Sequence, residues 1–127
     1  MKLHLTDYAG LNAFSGYGEG YVAVNQVRYA CNLIVLPDQI IENWHVSSIE
    51  QLDMQHFDTL LMAQPEIILL GTGRMLQFPN MSLMKALISQ GIGFEVMDTQ
   101  AACRTYNILS TEGRRVAAAM LVQARDA

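Results

Sequence analysis

Two short stretches carry the residues best suited to chemistry. Gly71-Thr72-Gly73-Arg74 follows the apolar run Ile67-Ile68-Leu69-Leu70, and Asp98-Thr99 follows the strand-like Phe94, Val96 and Met97. A glycine-rich turn beside the first amides of a helix can hold a polar or anionic group on backbone N–H donors. Cys103 adds a thiol, with Asn107 and Ser110 four and seven residues on along one helix edge. A thiol becomes a nucleophile only as the thiolate, next to a base or cation or in the first helical turn. Arg104 adjoins Cys103, while His4, His45 and His56 are scattered. The plainer reading of the same residues is a glycine turn, a helix N-cap and a packed, inert cysteine.

More specific chemistries fail on spacing. A dinucleotide fingerprint needs a third glycine where Leu76 stands, and the next helix begins only near Met81, beyond Pro79. Asp98 as N-cap would also repel an anion from the second helix. The nucleophile elbow fails because Ala13 precedes Phe14-Ser15-Gly16 where its first glycine belongs. Glu95, Asp98 and Glu112 fall in three separate settings, so no paired carboxylates arise. Glu112 and Arg114 bracket a helix stop and read as a salt bridge or hydrogen bonds holding that turn. Cys31, Cys103 and the histidines have no metal-ligand spacing, so no metal or cofactor is expected.

The elements that position these residues follow from periodicity. Ala102, Tyr106 and Leu109 recur at helical spacing after an N-cap at Asp98 or Thr99, and Gly113 stands where a left-handed C-cap residue belongs. Val116 to Val122 is apolar throughout, as in a strand covered on both faces. Ile67–Leu70, a helix over Met81–Gln90, the strand to Met97, the second helix and the last strand make two βα crossover units with parallel strands.

Upstream, Tyr21–Val24 and Val27–Leu36 read as strands joined at Asn25-Gln26, with Cys31 in the core on the phase of Val27, Tyr29, Leu33 and Val35. Ile40–Val46 reads as a further strand carrying Trp44. Ser47-Ser48 or Asp53 caps short helical turns, and Phe57, Leu60 and Leu61 suit a helix ending before Pro65. Met62, Met81, Met84 and Met120 sit in apolar patterns and read as core. The expected architecture is an α/β domain of three layers over residues 1–127. An N-terminal β-hairpin region joins the two crossover units in one mixed central sheet.

Composition bounds the function. The chain has 127 residues, 51% hydrophobic and 16% charged, which suits one folded domain with one core. A formal net charge of −4 argues against a general nucleic-acid binder. Two cysteines are too few for a disulfide framework and fit a reducing compartment, although a Cys31–Cys103 bridge stays open on sequence. The opening Met1-Lys2-Leu3-His4-Leu5-Thr6-Asp7 lacks the apolar run of a signal peptide, and no stretch approaches the roughly 20 apolar residues that span a bilayer.

One set of motifs resembles a known family. Glu95-Val96-x-Asp98-Thr99-x-x-Ala102, Tyr106-Asn107-x-Leu109, Glu112-Gly113-Arg114 and the alanine-rich last strand are similar to the Mth-type domain family of small uncharacterised proteins. Gly71-Thr72-Gly73 and the early Gly-Tyr-x-x-x-Asn-Gln stretch match as well. Relatives in that family include the third mitochondrial complex I assembly factor and an adipogenesis-associated protein. The resemblance implies a three-layer α/β domain, no assigned catalytic residue and no assigned cofactor. The motif residues Ala102, Tyr106, Asn107, Glu112, Gly113 and Arg114 themselves read as structural.

The reading that results is a non-enzymatic protein-binding or assembly module, cytoplasmic, related to complex I assembly through its relatives. A protein partner is expected, with self-association a second mode. It requires an exposed apolar patch, for which Trp44, Phe78 and Met75 are the candidates. The alternative is a small-ligand binder or enzyme using the crevice of Gly71, Thr72, Gly73, Arg74, Asp98, Thr99 and Cys103, with the Cys103 thiolate accessible.

Overall fold

The computed structural model describes residues 10–122. The opening heptad, His4 included, lies outside that range. The first hairpins form a small antiparallel sheet, β1 (Phe14–Gly18), β2 (Tyr21–Val24) and β3 (Val27–Tyr29), in the order β1-β2-β3. Asn25 and Gln26 join β2 to β3 with φ of 52° and 73°. Two positive-φ residues match the twist of the flanking strands, as the tight-turn reading required.

The main sheet holds β4 (Leu33–Leu36), β5 (Gln39–Glu42), β6 (Ile67–Gly71), β7 (Gly93–Met97) and β8 (Val116–Met120) in the order β5-β4-β8-β6-β7. β4 pairs antiparallel with β5 and β8, whereas β6 pairs parallel with both β8 and β7. The sheet is therefore mixed. Between β6 and β7 lies α2 (Met81–Ile88), and between β7 and β8 lies α3 (Thr99–Thr111). The second crossover runs back over β6, so right-handed connections require the two helices on opposite faces.

Strand alternation divides the core in two. Ile34, Leu36, Ile68, Leu70, Ala117 and Ala119 face one side, with Trp44, Ile49, Leu52, Phe57, Leu60, Leu83 and Leu87 packed on them. That layer comprises α2, α1 (Asp58–Met62) and two 3-10 turns, Ile49–Gln51 and Met54–Phe57. Leu33, Val35, Ile67, Leu69, Val116, Ala118 and Met120 face the other side, against α3 and the small sheet. The three layers expected from sequence are present.

Several local readings need correction. The span read as one strand from Val27 to Leu36 is two strands in different sheets, broken between Tyr29 and Leu33. Asn32 makes the break: its side chain donates to the Val46 carbonyl at 3.0 Å, and its own carbonyl accepts from Trp44 N–H at 2.8 Å. Cys31 falls in that break and is only half-buried, and Val27 is exposed. The strand expected over Ile40–Val46 ends at Glu42, because Asn43 takes φ of 56° and turns the chain.

Trp44 is then buried, its Nε1–H donating to the His56 carbonyl at 2.8 Å and its ring meeting Phe57 edge-on. Asp53 rather than Ser48 supplies the side-chain cap: its carboxylate accepts from Gln55 N–H while His56 Nδ1 accepts from the Asp53 amide. Met62 and Met81 are exposed rather than core, and Met120 is buried. Ile88 is exposed too, because Leu83 and Leu87 turn the opposite face of α2 to the core. The two cysteines are free thiols.

Candidate functional site

β6 and β7 end side by side, so the loops after them meet at one edge of the sheet, as α/β ligand sites usually do. Backbone hydrogen bonds stitch that edge together. Thr72 N–H donates to the Met97 carbonyl, Thr99 N–H to the Gly73 carbonyl and Leu121 N–H to the Gly71 carbonyl, each at 2.8 Å. Gly71 has no room for a side chain, since a Cβ there would stand 2.7 Å from Met120 Sδ. Gly73 turns the chain with φ of +94°.

The polar side chains at this edge are engaged in building it. The Thr72 hydroxyl is almost fully buried, donating to the Met75 carbonyl at 2.7 Å and accepting from Gln77 N–H at 3.2 Å. Asp98 caps α3, its Oδ1 accepting from Ala101 N–H at 2.9 Å. Arg74 is exposed on the turn. Gly71, Thr72, Gly73 and Arg74 are thus brought together with Asp98 and Thr99.

Cys103 is placed differently. It is fully buried among the apolar side chains between α3 and the sheet, and burial pushes its thiol pKa up to about 12. The group is a neutral thiol at any ordinary pH, not an exposed thiolate. Among the described residues no three histidine, cysteine or carboxylate side chains converge to hold a metal ion.

The C-terminal motif residues hold the fold. Ala102 and Tyr106 are fully buried on the inner face of α3, and Tyr106 meets Phe14 edge-on at 5.2 Å between ring centroids. Its hydroxyl is buried without a hydrogen bond of good geometry, although Ser110 lies near enough to temper its ionisation. Asn107 bonds the backbone of Phe14. Gly113, at φ of +82°, ends α3, with Arg114 N–H donating back to the Leu109 carbonyl at 3.1 Å.

Of the two readings of Glu112–Arg114, hydrogen bonds hold the turn, through the backbone amides of Glu112, Gly113 and Arg114, while the Arg114 side chain pairs with Glu66 at 3.6 Å. Arg115, which no motif singled out, is the more connected of the two arginines. Its Nε donates to the Ala63 carbonyl at 2.7 Å, its amide to Glu66 at 2.9 Å, and its guanidinium meets Asp38 at 3.4 Å. Partners 49 to 77 residues away leave no spacing signal in a sequence.

The exposed feature of this edge is apolar. Met75, Leu76, Phe78 and Met81 are 56%, 51%, 63% and 69% exposed. Four large apolar side chains within one loop and the first residue of its helix are not the scattered singles of an ordinary surface. Nor is the loop held open by chance, since the Thr72 hydroxyl bridges its backbone and Asn80 caps α2, accepting from Leu83 N–H at 2.9 Å. Of the three patch candidates, Phe78 and Met75 are exposed and Trp44 is core. Leu76 and Met81 join them, and were legible only as a run from 75 to 81 without charge.

A family model described as "Protein of unknown function (DUF498/DUF598)" matches residues 14–121. The chain is 32% identical over 104 residues to the 13 kDa major membrane protein of Francisella tularensis subsp. holarctica, covering 81% of this chain and 85% of that protein. It is 33% identical over 99 residues to the NADH dehydrogenase (ubiquinone) 1 alpha subcomplex assembly factor 3 of Mus musculus, covering 76% of this chain. Those residues are 52% of the mouse protein, so the chain spans about half the length of that relative.

Solved structures agree. The NMR structure of a Xanthomonas campestris protein superposes with a TM-score of 0.82 at 40% identity, covering 95% of this chain and 90% of that one. A Bordetella pertussis protein described as an Mth938-like domain superposes with a TM-score of 0.74 at 33% identity, covering 98% and 94%. The motif resemblance and the fold point the same way. Among the described residues no helix is long and apolar enough to cross a membrane.

Proposed function

Because this chain belongs to the DUF498/DUF598 family, we propose that it is a non-enzymatic docking module that binds a protein partner during assembly of a larger complex. The observation that carries the reading is the braced loop presenting Met75, Leu76, Phe78 and Met81 to solvent. Protein interfaces concentrate their energy in a few apolar and aromatic anchors. A loop whose backbone is already fixed loses little entropy on binding. The names of the mammalian relatives supply the kind of partner, a subunit of respiratory complex I or of a complex like it. That part of the proposal rests on proteins of which this chain spans about half the length.

The proposal includes a cytoplasmic location, in keeping with two cysteines that stand as free thiols. Cell fractionation tests it. Recovery with membranes, as the name of the Francisella relative would suggest, would replace it.

The docking surface is tested with Phe78→Asp and Leu76→Asp. Both side chains are more than half exposed, so the fold should tolerate the change. Affinity capture under native conditions should lose a stoichiometric partner in both variants while thermal unfolding stays within a few degrees of the parent. Full retention of that partner would place the binding surface elsewhere.

A further inference from the structure

The docking face also carries a charge signature. Between Glu66 and Glu95 there is no aspartate or glutamate, although the chain holds 12 acidic residues and a net charge of −4. That acid-free span contains two cations, Arg74 and Lys85, and both are exposed. Lys85 follows Met81 by four residues and precedes Ile88 by three, so the three share the face of α2 opposite the buried Leu83 and Leu87. Asp53 and Asp98, at the border of the face, cap helices. Glu95 alternates to the side of β7 opposite Phe94 and Val96, which pack on the α2 layer.

Resting on the docking reading above, we propose that the partner segment seated on this face is acidic. It would be an apolar anchor flanked by carboxylates, lying against Met75–Phe78 and the outer face of α2. Exposed ion pairs add little affinity, so the cations serve orientation instead. An acidic partner is repelled by the rest of this negatively charged chain and admitted beside the cations of the acid-free span.

Charge also selects among other occupants. A second copy seated on the same face would bring its own Lys85 against this one, and the span between Glu66 and Glu95 supplies no carboxylate to separate them. An anionic bilayer is held by clusters of roughly 4–8 cations, and this face offers two.

Zero-length cross-linking reads the proposal directly. A water-soluble carbodiimide activates a carboxylate, and a lysine amine then displaces the resulting urea to form an amide. Lys85 and Lys2 are the only lysines of the chain, so a cross-link assigns its own position. The reagent is applied to the tagged full chain in native extract at low ionic strength, and the joined peptides are sequenced by mass spectrometry.

The expected product joins Lys85 to an aspartate or glutamate in a partner segment that also carries apolar residues. Lys85→Arg should keep capture but lose the link. Lys85→Glu, or raising the salt from about 50 to about 500 mM, should lower capture about threefold to tenfold. Capture that needs Phe78 but survives Lys85→Glu and high salt, with no Lys85 link, would overturn the acidic partner and leave the docking reading standing. Capture indifferent to Phe78→Asp would overturn both. Phe78-dependent sedimentation with phosphatidylcholine–phosphatidylglycerol vesicles, without a protein cross-link, would overturn both in favour of a lipid surface.

Discussion

The side chain of Asn107 grips the backbone of Phe14 at two points: Oδ1 accepts from the Phe14 amide and Nδ2 donates to the Phe14 carbonyl, each at 2.9 Å. One asparagine on α3 thus ties the edge of the small sheet to the crossover half of the chain, across 93 residues. Asn107→Ala would leave a part-buried N–H and C=O without partners. Each such group costs about 1–3 kcal/mol, so the variant should lose about 2–6 kcal/mol. Urea unfolding checks this, the midpoint falling with an unchanged slope. Asn107→Asp should be no better, because a carboxylate cannot donate to the Phe14 carbonyl.

That clamp marks what a sequence can convey. Asn107 is visible as part of a motif that reads as structural, but its partner lies in the first hairpin with nothing local to announce it. Elements with internal periodicity were legible: the inner face of α3, the Asp98 cap, the Gly113 stop and the parallel pairing of β6 with β7 and β8. The failures share one physical cause. Val27–Leu36 alternates well enough for one strand, yet tertiary hydrogen bonds from Asn32 break it between two sheets. Met81 and Ile88 fit an apolar helix pattern, yet only Leu83 and Leu87 meet the sheet. At the candidate site, Phe78 and Met75 were legible as apolar residues in a turn-rich stretch. The bracing of their loop by Thr72 was not, because the same sequence also suits a ligand turn.

Thr72→Val tests that bracing. It keeps the size of the side chain and removes both hydrogen bonds of the hydroxyl, to the Met75 carbonyl and from Gln77 N–H. Each is worth about 0.5–1.5 kcal/mol net, so stability should fall by about 1–3 kcal/mol. The sharper readout is amide exchange. Gln77 N–H should lose protection while the amides of β6 and α3 keep theirs. Unchanged exchange at Gln77 would mean that the loop holds its shape without Thr72.

Gly71→Ala addresses the packing beneath the same loop. The added Cβ would meet Met120 Sδ at 2.7 Å and Cε at 2.8 Å, and Ala102 Cβ at 3.3 Å. Overpacking of this kind costs about 1–3 kcal/mol. Met120 is flexible, so Gly71→Ala with Met120→Val should recover part of the loss. A double variant as unstable as the sum of its single changes would show that the backbone, not the methionine, sets the limit.

Cys103 and Tyr106 make stability fall with rising pH. Burial raises the Cys103 thiol from 9.0 to about 12 and raises the Tyr106 phenol as well. In the unfolded chain both groups release their protons near their ordinary values, while the folded chain retains them. The unfolded state then binds fewer protons, so the slope of unfolding free energy against pH is negative. The contribution is fully present below pH 9 and is lost progressively toward pH 12. Urea midpoints measured across that window should decline, and less steeply in Cys103→Ala, which has no thiol to titrate. Alkylation gives an independent check at pH 8: half-buried Cys31 should react in the native chain, whereas Cys103 should react only after unfolding. Native modification of Cys103 at a rate like that of Cys31 would mean that α3 opens readily over the sheet, and the decline with pH should then be correspondingly small.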